Sequence, residues 1–128
     1  MEPKWVTRMM VEAIHSESIT LFGGATGVRD TGLLESALDR PKNLFAYEEA
    51  PTIFQLAAMY CVGLIRNHPF VDGNKRVGLL TANAFLSLNG YDFRPREADA
   101  ATLIIALASG TLDEAALAAW FSDFSTAK

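Results

Sequence analysis

The segment from Pro51 to Tyr91 carries only four charged residues, and all four fall between Arg66 and Arg76. On either side the chain is apolar at almost every helical position. Ile53–Ile65 is a 13-residue apolar stretch that includes Gln55. A helix that is hydrophobic all round belongs in the middle of a domain. A membrane span needs about 20 such residues, so a buried helix is the reading here, and no membrane partner is expected. Thr52 with Gln55 three residues on forms a capping box that opens this helix, which is expected to run to about Arg66. A second apolar helix is expected from about Gly73 to Leu88, after a break at Asn67–Val71. Asn89-Gly90 is read as its C-terminal stop rather than as a hairpin turn, because sixteen residues of helical pattern precede it.

Elsewhere apolar residues also recur at helical spacing. Thr7 is expected to cap a first helix whose apolar stripe is Met10, Ile14 and Ile19, ending near Leu21. The glycine-rich segment Phe22–Asp30 reads as a loop. A short helix with Leu33, Leu34, Ala37 and Leu38 apolar follows, ended by Pro41, with Asn43–Pro51 irregular. A helix of about Glu97–Ala108 stops at Gly110, and Thr111 with Glu114 opens a last one to about Phe124. The expected fold is all-α: a compact bundle of about six helices around the apolar pair, with at most a trace of strand around Tyr91–Arg94.

With 128 residues, 50% of them hydrophobic, the chain has material for one core, so residues 1–128 are expected to form a single domain. Two histidines and one cysteine exclude an internal disulfide and a Cys/His zinc site. Met1–Thr7 lacks the apolar core of a secretory signal, and the lone Cys61 suits a reducing compartment, so a cytoplasmic location is expected. The formal charge of −4 argues against direct nucleic-acid binding, which needs a cationic face. That average hides an asymmetry. The segment Pro51–Tyr91 holds three cations and one anion, and the rest of the chain eight cations and fourteen anions. A local cationic site in an acidic protein suits a small anion.

The cluster reads Arg66-Asn67-His68-Pro69-Phe70-Val71-Asp72-Gly73-Asn74-Lys75-Arg76. The amides of a helix start lack intrahelical partners, and with the helix dipole they form an anion site. Gly73 permits close backbone approach, and Lys75 and Arg76 offer a point charge and a planar fork for phosphate oxygens. Asp72 would repel a bare phosphate but makes sense beside one with Mg²⁺ between them. His68, on a turn constrained by Pro69, can accept a proton near neutral pH. Phe70 reads as a core anchor. In the blander reading Asp72 is only an N-cap and Lys75 and Arg76 are solvated. That accounts for each residue singly but not for their coincidence between two buried helices. No G-x-x-x-x-G-K-[ST] motif is present.

His68-Pro69-Phe70, Asp72-Gly73-Asn74 and Arg76 resemble the signature of the Fic/Doc (fido) superfamily, at seven defined positions in nine residues. Phe22-Gly23-Gly24, Gly27-Val28-Arg29-Asp30, Gly32 through Ala37, Arg40-Pro41 and Asn89-Gly90-Tyr91 extend the likeness to the death-on-curing (Doc) branch, over roughly residues 5–122. Lys75 stands where AMP-transferring Fic enzymes have glycine, and Leu79 where they have a further arginine. Gly73 is the Fic-like exception to a Doc-like string. The resemblance implies a toxin of a toxin–antitoxin pair: an ATP- and Mg²⁺-dependent kinase modifying a Ser/Thr hydroxyl of a translation factor, elongation factor Tu in the family. It also implies a cognate antitoxin whose C-terminal segment lies in a groove. It assigns His68 as general base, Asp72 to Mg²⁺, and Arg66, Gly73, Asn74, Lys75 and Arg76 to nucleotide phosphates. AMP transfer, or a silent module that only binds an antitoxin, are the alternatives.

The remaining residues invite plainer readings. His15 reads as a structural or surface histidine rather than a catalytic partner. Cys61 reads as a small core residue, and Trp5, Trp120, Phe121 and Phe124 as packing residues. The Gly23–Asp30 loop is either a plain connection or a flap in which Arg29 or Asp30 orients the target peptide.

Overall fold

The computed structural model describes residues 2–111 and 113–128. Among these residues six helices follow in chain order: α1 Arg8–Phe22, α2 Thr31–Tyr47, α3 Ile53–Asn67, α4 Asn74–Leu88, α5 Glu97–Ala108 and α6 Glu114–Asp123. Two three-residue strands, β1 Tyr91–Phe93 and β2 Ser125–Ala127, pair antiparallel in the register Tyr91–Ala127 and Phe93–Ser125. The fold is the all-α bundle expected from the sequence, with the trace of strand completed by a partner at the chain's end. Among the described residues no helix is long and apolar enough to cross a membrane.

α3 is the central helix, with every residue from Leu56 to Ile65 buried and α2, α4, α5 and α6 packed around it. Its start is the expected capping box. Thr52 Oγ1 accepts from the Gln55 amide at 3.1 Å, and the Thr52 amide donates to Gln55 Oε1 at 2.8 Å. α4 lies directly against it. A Cβ at Gly78 would stand 3.0 Å from the Cys61 carbonyl oxygen, so the absence of a side chain there permits the approach. Phe70, Phe85, Phe121 and Leu34 are among the largest side chains fully withdrawn from solvent. Trp120 and Phe121 pack edge-on against Phe93, while Trp5 packs on Phe45 and Phe85. Cys61 is buried, as expected of a core residue, and burial pushes its thiol up to about 12.

Three sequence expectations are corrected. Pro41 does not end α2, which runs six residues further. Its missing N–H removes a hydrogen bond to Ala37, a defect of about 3 kcal/mol in a free helix. The burial of Leu34, Ala37, Leu38 and Pro41 holds the helix across that gap. The buried face of α1 is Val11, His15, Ser18 and Ile19, a shift from the expected stripe that leaves Met10 and Ile14 half-buried. α6 is capped by Asp113, whose side chain accepts from the Ala116 amide at 2.8 Å, rather than by Thr111.

Candidate active site

α3 ends at Asn67, and His68 follows in the left-handed conformation, φ 50° and ψ 53°. For a residue with a Cβ that geometry costs about 1–3 kcal/mol and persists only where neighbours enforce it. Here Arg29 enforces it: its Nε donates to the His68 carbonyl at 2.8 Å and its NH2 group to the Asn67 carbonyl at 3.1 Å. Beyond His68 the chain turns through buried Pro69 and Phe70 and enters α4 at Gly73, the N-cap, with φ 77°. The Asn74 side chain closes the loop, accepting from the Phe70 amide at 2.9 Å and donating to the Phe70 carbonyl at 3.0 Å.

Residues 23–30 lie against this loop as a strand-like edge. Val28 bridges Phe70 antiparallel. The Arg29 and Asp30 amides both donate to the Pro69 carbonyl, and the Val71 amide donates to that of Gly27. The same segment reaches Asp72. The Ala25 amide donates to Asp72 Oδ2 at 3.2 Å, and the Gly73 amide to Oδ1 at 2.9 Å. The Ala25 amide first, then the Gly73 amide, hold the exposed carboxyl below its usual range, with a smaller contribution from Arg76. Gly24 has φ +118°, and a Cβ on it would meet Asp72 Oδ2 at 2.7 Å. His15 on α1 lies 2.7 Å from the Asp72 carbonyl through Nε2 and stacks on the Phe70 ring.

His68, Asp72, Gly73, Asn74, Lys75 and Arg76 line one cavity of about 760 Å³, walled on its apolar side by Phe22, Ile65, Leu79 and Leu80. His68, Asp72 and Lys75 are exposed. Arg76 is braced by α1, its guanidinium 4.9 Å from the Phe22 ring centroid and 3.5 Å from Ser18 Oγ. The cavity presents a base, a carboxylate and two cations at a helix start, an arrangement suited to phosphate oxygens. Among the described residues no three His, Cys, Asp or Glu side chains gather as a metal site. Asp72 alone fits a cation shared with phosphates and waters, the habit of Mg²⁺.

Three of the residues singled out in the sequence make their contacts outside the cavity. Arg66 does not line the cavity; it reaches toward α6, 3.7 Å from Glu114, which Arg40 also binds at 2.7 Å. Arg29 is engaged with the end of α3, as above. Asp30 caps α2, accepting from the Leu33 amide at 2.9 Å. Asn74 lines the cavity, but both ends of its amide are occupied by Phe70. Sequence reasoning gave no role at the site to Ser18 or Phe22 and did not foresee the contacts that Gly24, Ala25 and His15 make with Asp72. A glycine pair after a helix was the only local signal among them.

The family model described as the Fic/DOC family matches residues 5–86. Protein kinase doc of Escherichia phage P1 is 35% identical over 108 residues, 83% of each chain. Toxin Doc of Mycolicibacterium smegmatis (strain ATCC 700084 / mc(2)155) is 43% identical over 70 residues, 54% of each chain. With the loop geometry above, these matches establish that the chain belongs to the Fic/DOC family, in its Doc branch.

Proposed function

We propose that this chain is a Doc-type toxin acting as an ATP-dependent protein kinase on a Ser/Thr hydroxyl of the translation machinery, elongation factor Tu being the target the resemblance implies. The observation that carries this reading is the cavity in which His68, Asp72, Lys75 and Arg76 face a common space at the start of α4. Phosphoryl transfer asks for positioning and charge neutralisation more than covalent help. The γ-phosphate would rest on the free amides of the helix start, with Lys75 and Arg76 on its oxygens. His68 takes the proton from the target hydroxyl as that oxygen bonds to the γ-phosphorus. The bond from the γ-phosphorus to the β,γ-bridging oxygen breaks, and ADP leaves. Asp72 would hold Mg²⁺, which when bound neutralises phosphate charge.

Lys75 and Leu79 support γ- over α-phosphate transfer: a long cation fills the helix start, and an apolar side chain stands where adenylyl transfer would want another arginine. Gly73 favours AMP transfer as the second reading. ATP labelled at the α- or the γ-phosphate, incubated with lysate, decides. Protein label from γ alone is the expected result, label from α alone would establish AMP transfer, and label from neither would support a module that only binds. His68→Ala and Asp72→Asn should abolish both labelling and toxicity on induction.

The name Toxin Doc carried by one relative supports a cognate antitoxin. Its seat is proposed in the 610 Å³ groove between α1, α4 and β1, which shares Phe22 and Leu80 with the catalytic cavity. Glu17 on its wall, with Asp92 already paired to Arg94 at 2.9 Å, favours a mostly apolar segment that carries a basic side chain. On this reading the whole chain acts as one fido domain in the cytoplasm.

A further inference from the structure

His15 is the second histidine of the chain, and the proposed chemistry does not use it. It is 4% exposed, on the inner face of α1. Its ring lies parallel to Phe70, centroids 3.9 Å apart at 9°. Its Nε2 stands 2.7 Å from the Asp72 carbonyl oxygen. A carbonyl only accepts, so Nε2 carries the proton and donates. The oxygen that His15 holds belongs to the same peptide unit as the Gly73 N–H. That N–H is the donor to Asp72 Oδ1 at 2.9 Å. Fixing one end of a planar peptide unit fixes the other.

We infer that His15 is a positioning residue for Asp72: by holding the Asp72–Gly73 peptide plane it aims the Gly73 N–H at the carboxylate and sets the direction Asp72 presents to a cation. The inference deepens the proposed site and rests on Asp72 serving as the cation ligand. Partners of this kind behind a metal ligand alter affinity without touching the metal. The stack on Phe70 and the hydrogen bond are separable contributions. His15→Phe keeps a flat ring against Phe70 and removes the donor. His15→Gln keeps an N–H donor and removes the ring.

The test compares the wild type with both variants by amide hydrogen exchange at Gly73 and by the affinity of Mn²⁺ with β,γ-imido-ATP, read by electron paramagnetic resonance. In the wild type the His15 Nε2–H should give a slowly exchanging imidazole resonance. His15→Phe should speed Gly73 exchange and weaken Mn²⁺–nucleotide binding, each about tenfold, and His15→Gln should restore most of both. Wild-type exchange in the Phe variant, a Gln variant as impaired as the Phe variant, or an absent wild-type Nε2–H signal overturns the inference. If wild type binds no Mn²⁺–nucleotide, the kinase reading falls, while the Gly73 amide still judges His15. The resonance, read on unmutated protein, serves even where a variant fails to fold.

Discussion

At Gly24 a Cβ would lie 2.7 Å from Asp72 Oδ2, so even alanine would displace the carboxylate as well as strain a backbone at φ +118°. Gly24→Ala should lower stability by about 1–2 kcal/mol in a denaturation curve while reducing nucleotide-analogue binding far more than that loss of fold accounts for. The Ala25 bond also has a pH signature. The folded Asp72 titrates below its ordinary value of 3.8. A depressed carboxylate contributes fully above its ordinary value, and the contribution is lost as pH falls through the folded one. The Ala25 amide resonance, followed from neutral pH downward, should therefore titrate with a midpoint below 3.8. At this scale the sequence was legible where the chemistry is contiguous, from His68 to Arg76. It carried no sign of the contacts that Ala25 and His15 make with Asp72 across 47 and 57 positions. It could not show that Arg66 reaches Glu114 rather than the cavity, or that Arg29 spends its guanidinium on two carbonyls at the end of α3.

Several helix ends were legible because their signals are local, although the cap of α6 was not. Thr7, Thr52 and the Asn89-Gly90 stop all act where periodicity placed them. The extent of α2 was not, since a proline's local preference was outweighed by burial that only tertiary packing supplies. Gly78 was equally mute, a glycine inside an apolar helix whose reason is the neighbouring helix. Gly78→Ala would bring a methyl to 3.0 Å from both the Cys61 carbonyl oxygen and Ile65 Cγ1. The backbone contact has no rotamer to relieve it. The substitution should cost about 1–3 kcal/mol by thermal or chemical unfolding, the range of an overpacked core. Arg29 works at this scale too, joining the loop after α1 to the end of α3. Arg29→Ala should leave His68 without two enforcing hydrogen bonds and make residues 23–30 the first site of limited proteolysis.

Across the whole molecule, α3 links the outer helices to the chain's beginning. The Tyr60 hydroxyl accepts from the Val6 amide at 3.0 Å, and burial pushes its phenol up to about 12. Tyr60→Phe would leave that buried amide unpaired and should cost about 1–3 kcal/mol, with nucleotide-analogue affinity unchanged in the folded protein. Neighbouring Tyr60 on the same helix, Cys61 has no exposure at all. Its thiolate is effectively absent at neutral pH, and the thiolate is the species that attacks maleimides and disulfide reagents. The native protein should therefore ignore such reagents until denaturant opens the core. A Thr26→Cys variant, its new thiol on an exposed loop, then becomes a one-site labelling platform with no background to remove. A dye there would report the movements of residues 23–30 alone.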